Sequence, residues 1–133
     1  MREDNVYFGH ERRRYPRLKS HIAIIYKVNE PLTVHMHLGD KEITATALDL
    51  CESGIAISTN HNIPLNTFLL IKFTIFKIDS DNRSTLYGPM VINGEVRYNT
   101  LLEDNIRRIG ICFTKIEEGD KIEVANFVKM MRR

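Results

Sequence analysis

The sequence lacks long apolar runs and has little cysteine, and each shortage excludes a class of protein. No apolar stretch among the 133 residues approaches the ~18 residues that a membrane-spanning helix needs. The charged N-terminus has no apolar core typical of a secretory signal peptide, so we expect a cytoplasmic protein. Two cysteines are present, Cys51 and Cys112, and without an export signal they are expected to be reduced thiols.

Recognisable catalytic motifs are also missing. The phosphate-binding patterns GxxxxGK(S/T) and GxGxxG do not occur, and neither cysteine has the histidine context of a nucleophile. The five histidines are scattered, and His35 and His37, which share a strand face, lack a nearby cysteine or carboxylate motif for a metal. We therefore predict a binding protein that is not an enzyme and that has no metal site or cofactor.

The charge of the chain is concentrated at one end. The length and a composition of 43% hydrophobic and 27% charged residues fit one soluble domain. Residues 1–19 contain six Lys or Arg and three acids, which leaves 13 basic and 14 acidic residues for the rest. We predict a basic arm over 1–19 and a folded body over 20–133. Such an arm suits an anionic partner, because guanidinium groups pair with phosphate oxygens and stack on flat rings.

Alternation and β-branched residues predict that the body consists mainly of strands. Gly88, Pro89 and Gly94 are expected to mark bulges or bends. Six or seven short strands in one small domain favour an antiparallel β-barrel or sandwich. The expected strands cover 22–28, 32–38, 43–48, 55–58, 67–78, 86–98 and 108–114, with a hairpin connection over 101–107.

The C-terminal segment changes to a helical period. Asp120 followed by Glu123 is a box-like helix start. A helix there would place an apolar stripe over one open end of the sheet. The stripe consists of Val124, Phe127, Val128 and Met131.

Two motifs flank the first strands. Arg13 and Arg17 form RxxxR, with Arg12 directly before it, and Asp49–Gly54 forms a DxxxxG segment. On an extended stretch, the two arginines of RxxxR lie on one side, about 13 Å apart. In this order and separation the motifs resemble the split signature of a PilZ domain, RxxxR and (D/N)xSxxG. In that family the two halves close around the bacterial second messenger cyclic di-GMP.

The resemblance extends over about residues 9–131 and implies a small PilZ-like split barrel with a C-terminal helix. It implies that Arg13 and Arg17 grip the phosphates and guanine faces, and that Asp49 accepts hydrogen bonds from the guanine edge. Gly54 would give the turn freedom to take positive φ and would allow close approach. A basic residue at Arg12 favours two intercalated ligands per chain.

The motif departs from the family at Cys51, where serine is expected. A thiol is a weak donor and acceptor, so a contact made by the serine hydroxyl would be weakened. Ser53 could compensate only if its side chain faced inward as Cys51 does. The expected ligand-binding residues are Arg12, Arg13, Arg17, Asp49, Cys51, Ser53 and Gly54.

Three functions stay open at this point. The first is a cyclic di-GMP receptor whose arm closes on the messenger and alters contact with a downstream protein. The second is a PilZ-like interaction module that does not bind cyclic di-GMP. The third is a small barrel that binds nucleic acid, which is disfavoured because the body is not basic and its strands show no obvious aromatic stacking platform. Arg97 lies on a late strand from which it could reach the ligand, although an ordinary surface arginine is the default expectation.

Overall fold

The computed structural model describes residues 18–30 and 41–132. Arg12, Arg13, Arg17 and the expected strand over 32–38 lie outside these residues. The described residues form strands and one C-terminal helix. These are β1 (Leu18–Glu30), β2 (Ile43–Cys51), β3 (Gly54–Thr59), β4 (Phe68–Ile78), β5 (Ser84–Glu103), β6 (Ile106–Lys115) and α1 (Glu118–Met131).

The strands form one closed antiparallel ring. Their spatial order is β1-β2-β3-β6-β5-β4, and β4 pairs with β1 to complete the ring. Each strand pair within the described residues is antiparallel. The predicted all-β barrel with a C-terminal helix is confirmed, with six strands in the part of the chain that is described.

Strand alternation builds the core. On β4 the residues Leu69, Ile71, Phe73 and Ile75 are buried, and their neighbours in sequence are more exposed. This is the period of two that places successive side chains on opposite faces of a sheet. Each fully buried side chain of this kind stabilises the fold by roughly 1.5–3 kcal/mol relative to exposure. The interior is therefore filled by side chains, and a ligand site has to lie at the barrel surface.

The helix packs on β4 and β2 through the predicted stripe. Val124, Phe127 and Val128 are buried, and Phe127 meets Phe76 edge to face at 5.3 Å between ring centroids. Met131 was expected in the same stripe but is 42% exposed, because the helix ends at this residue. No helix of residues 18–30 and 41–132 is both long and apolar enough to cross a membrane.

The predicted start of the helix was wrong by one turn. The N-cap residue is Glu117, which makes no side-chain capping hydrogen bond, and the helix begins at Glu118. Asp120 lies within the first turn, where its carboxylate accepts a hydrogen bond from the Tyr87 hydroxyl at 2.7 Å. The Asp120 carboxylate thus bonds to the side chain of Tyr87 on β5 and does not cap a backbone N–H at the helix start.

The hairpin between β5 and β6 is tighter than the expected 101–107 connection. Strand β5 continues to Glu103 and β6 begins at Ile106, so the turn consists of Asp104 and Asn105. Both turn residues have positive φ, 47° and 66°. Asp and Asn tolerate this conformation, which a two-residue type I′ hairpin requires at both positions.

The expected irregularities are present. The register of β5 with β4 shifts between Tyr87 and Met90, which spans Gly88 and Pro89. The register of β5 with β6 shifts at Gly94.

Candidate ligand-binding site

The Asp49–Gly54 segment forms a tight hairpin between β2 and β3. Cys51 pairs with Gly54, which leaves Glu52 and Ser53 as the turn. The backbone N–H of Phe113 on β6 donates a hydrogen bond of 2.9 Å to the Ser53 carbonyl. The turn is therefore fixed by a neighbouring strand as well as by its own hairpin.

Gly54 is needed here for space. A Cβ at this position would collide with the carbonyl oxygen of Ile111, a backbone atom of β6 that cannot swing aside. Gly54 does not adopt positive φ, so that part of the expectation was wrong. The close approach is instead made by a neighbouring strand, whose pairing brings Cys112 opposite Gly54.

Asp49 is a buried acid with an arginine beside it. Its side chain is 2% exposed, and Arg108 Nη2 lies 3.4 Å from Asp49 Oδ2. The arginine comes from β6, two strands away from β2 in the ring. A buried carboxylate is costly without a cationic or hydrogen-bonding partner, and Arg108 supplies such a contact.

Arg108 also contacts the other side of the site. Its Nε donates to the Tyr98 hydroxyl on β5 at 3.3 Å. The Tyr98 ring lies directly over Gly110, where a Cβ would overlap three ring carbons. Arg108 therefore connects the Asp49 carboxylate to an aromatic ring on a different strand.

A cavity of about 230 Å³ opens beside the hairpin turn. Four of the residues predicted from the motif line it together, namely Asp49, Cys51, Ser53 and Gly54. The neighbouring strands β6 and β5 contribute further lining residues, which include Arg97, Tyr98, Gly110 and Cys112. The other three predicted residues, Arg12, Arg13 and Arg17, lie outside the described part of the chain.

Over residues 11–129 the sequence matches the PilZ domain family. The chain belongs to the PilZ domain family. The match includes both halves of the motif and nearly all of the barrel and helix. PilZ domains are regulatory domains of a cyclic di-GMP receptor family, so the predicted resemblance is confirmed at the level of the family.

Solved PilZ-like structures have the same fold. The Bacillus subtilis inhibitor of motility (MotI/DgrA) aligns with a TM-score of 0.65 and 12% identity over 90% of this chain. This chain spans 51% of that protein's length. The PilZ domain of CeSA from a cellulose synthesizing bacterium aligns with a TM-score of 0.52 and 13% identity, covering 88% of this chain and 98% of that domain. No curated protein sequence matches the chain.

The condition set for compensation at Cys51 is not met, because Ser53 does not face inward as Cys51 does. Cys51 is buried, and its Sγ lies 3.1 Å from Ser53 Oγ. Ser53 is itself exposed but lines the same cavity, so a hydroxyl is available two residues from the position where the PilZ motif has one. Cys51 and Cys112 are both free thiols.

Three residues of this PilZ domain were missed or undervalued from the sequence. Arg97 is a surface arginine as expected, with a side chain that is 59% exposed, yet it also lines the cavity. No sequence motif around Tyr98 or Arg108 indicated that these residues belong to a ligand site. They reach the site through strand register, because Tyr98 pairs with Gly110 while Arg108 pairs with Ser58 on β3.

Proposed function

We propose that this PilZ domain is a cytoplasmic receptor for cyclic di-GMP. Arg13 and Arg17 grip the phosphates and guanine faces, and the Asp49–Gly54 turn reads a guanine edge. Closure of the arm on the messenger alters the surface offered to a downstream protein. The observation that carries the proposal is the cavity lined by the second half of the PilZ motif.

The connection between the two halves of the motif supports this reading. Strand β1 begins at Leu18, directly after Arg17, and Leu18 pairs with Leu50 inside the second motif. Consecutive Cα atoms are about 3.8 Å apart, so Arg17 is joined directly to a residue that pairs with the second motif. An arm that starts there needs no long connection to reach the cavity.

The size of the cavity supports a ligand shared between the turn and the arm. Sites that enclose a whole small-molecule ligand have volumes of about 300–1,000 Å³. The cavity of about 230 Å³ is smaller than that range. It suits one planar base, and the rest of a dinucleotide would be held by the arginines of the arm.

The chemistry of the turn fits guanine. A carboxylate accepts hydrogen bonds but does not donate them, and guanine offers N1–H and N2–H on one edge. Asp49 is 2% exposed and in contact with Arg108, so the guanine edge shares the carboxylate with Arg108. Ser53 Oγ adds a second polar group at the cavity wall.

Calorimetric titration with cyclic di-GMP tests the proposal, with GTP as the control ligand. We expect micromolar or tighter binding that Arg13→Ala, Arg17→Ala and Asp49→Ala each abolish. The inflection gives the stoichiometry, which we expect to be two ligands per chain and to fall to one in Arg12→Ala. The absence of binding heat in the folded wild type would refute the receptor and leave the ligand-free interaction module.

The same titration at several salt concentrations distinguishes the cyclic di-GMP receptor from a barrel that binds nucleic acid. A basic arm that binds oligonucleotides gives affinity that falls steeply with salt and shows little preference for cyclic dinucleotides. The receptor is expected to prefer cyclic di-GMP to single-stranded oligonucleotides at moderate salt. A reversed preference would favour the nucleic-acid barrel.

A further inference from the structure

The described residues that line the cavity include one aromatic side chain, Tyr98, which is not part of the PilZ motif. Tyr98 is 40% exposed, lies on β5 and lines the cavity together with residues of the Asp49–Gly54 turn. One part of the ring rests on Gly110, where the absence of a side chain lets it lie close to the backbone of β6. A flat ring that is supported on one side and partly open on the other can stack with a planar base.

The position of the ring is fixed by polar contact as well as by packing. Arg108 Nε donates to the Tyr98 hydroxyl at 3.3 Å, and the same guanidinium reaches Asp49 through Nη2 at 3.4 Å. One side chain thus contacts both the hydroxyl of the ring and the carboxylate. A ligand meets two groups that are already oriented, so less conformational entropy is lost on binding.

We propose that Tyr98 is a base-stacking residue of the ligand site and that Arg108 is its positioning residue. This inference rests on the proposed function and names a further contact of the same site. The ring stacks with a purine of the nucleotide, and Arg108 keeps that purine in register with Asp49. Gly110 is required because a side chain there would displace the Tyr98 ring from its position over β6.

Titration of a graded set of variants with cyclic di-GMP tests the inference. Tyr98→Ala removes the ring, and the affinity is expected to fall on the order of 10- to 100-fold, as for other base-stacking aromatics. Tyr98→Phe keeps the ring and loses only the hydroxyl contact, so a loss of roughly threefold is expected. Gly110→Ala is expected to weaken binding as Tyr98→Ala does, whereas Gly119→Ala on α1, where a Cβ has room, is the matched control.

Nuclear magnetic resonance with GMP gives a readout that a merely structural role would not produce. A base stacked on Tyr98 shows an upfield ring-current shift of its H8 proton in the wild type and in Tyr98→Phe, and no such shift in Tyr98→Ala. Arg108→Lys keeps the charge but loses the forked contact, so we expect a reduced H8 shift and a smaller preference for guanine over adenine. Thermal melts of each variant establish that the domain is folded.

The outcomes separate the inference from the proposed function. If Arg13→Ala abolishes binding while Tyr98→Ala binds as the wild type does, the stacking role is overturned and the receptor stands. If cyclic di-GMP fails to bind but GMP shows the Tyr98-dependent shift, the receptor is overturned and the stacking role stands. If the folded wild type binds neither ligand, both are overturned.

Discussion

The contact between Asp49 and Arg108 gives a stability prediction that needs no ligand. Arg108→Gln removes a guanidinium 3.4 Å from a carboxylate that is 2% exposed. Removing one partner from a fully buried pair costs about 3–5 kcal/mol. The Arg108 side chain is 28% exposed, so solvent screens part of the interaction. We therefore expect Arg108→Gln to lower the free energy of unfolding by about 2 kcal/mol.

Thermal and urea unfolding measure this loss, and the chain contains a matched control. For a domain of this size, 2 kcal/mol corresponds to a fall in Tm of roughly 6–10 °C. Arg97 Nη2 also lies 3.4 Å from a carboxylate oxygen, that of Glu95, but the Arg97 side chain is 59% exposed. Arg97→Gln is expected to change the free energy of unfolding by no more than about 0.5 kcal/mol.

A double-mutant cycle tests whether the loss comes from the pair. Asp49→Asn removes the buried charge, so Arg108→Gln should cost less in that background than in the wild type. We expect a coupling energy of about 1–2 kcal/mol between the two positions. Equal losses for Arg108→Gln and Arg97→Gln, or a coupling energy near zero, would refute the argument from burial.

Three further predictions concern the turn, the helix and the thiol. Gly54→Ala forces a Cβ against a backbone carbonyl of β6, and chemical denaturation should show a loss of about 1–3 kcal/mol that Gly119→Ala does not share. The hydrogen bond to Asp120 raises the pKa of Tyr87 to about 12 from 10.0. The folded state therefore holds the phenolic proton more tightly, and this stabilisation is present below pH 10 and is lost as the pH rises through 12. Thermal melts across that range should show a weaker dependence on pH in Tyr87→Phe, and an unchanged dependence would contradict it. Cys51→Ser restores the hydroxyl of the PilZ motif and should raise the affinity for cyclic di-GMP by roughly 2- to 10-fold in calorimetry, whereas equal or weaker binding would count against a contact there.

Most of the fold could be predicted because strand alternation is a local property of the sequence. The inward residues of β4 follow it without exception from Leu69 to Ile75. The predictions were wrong where a residue type is common in two different kinds of local structure. Asp120 has the chemistry of a helix cap but bonds to Tyr87, and Asp104 and Asn105 form an I′ turn inside a segment expected to be a longer connection.

The site could be predicted only as far as its motif extends. The Asp49–Gly54 turn is contiguous, so its place between two strands follows from the sequence. Tyr98 and Arg108 are separated from the turn by more than forty residues and arrive through the pairing of β3, β5 and β6. Strand register of this kind has no local signature. The roles of Arg12, Arg13 and Arg17 stay predictions, since these residues lie outside the described part of the chain.

The proposed contacts differ in whether they distinguish guanine from adenine, and this difference tests the role of Asp49. Phosphate contacts and stacking serve cyclic di-GMP and cyclic di-AMP alike, whereas a carboxylate facing N1–H and N2–H favours guanine. Asp49→Asn keeps the shape of the side chain but cannot accept both hydrogen bonds as a carboxylate does. Competition titrations should show cyclic di-GMP weakened on the order of 10- to 100-fold and cyclic di-AMP little changed. Tyr98→Ala, in contrast, should weaken both nucleotides together. A parallel loss of both nucleotides in Asp49→Asn would mean that Asp49 acts through Arg108 and the fold, and that the guanine edge is read elsewhere.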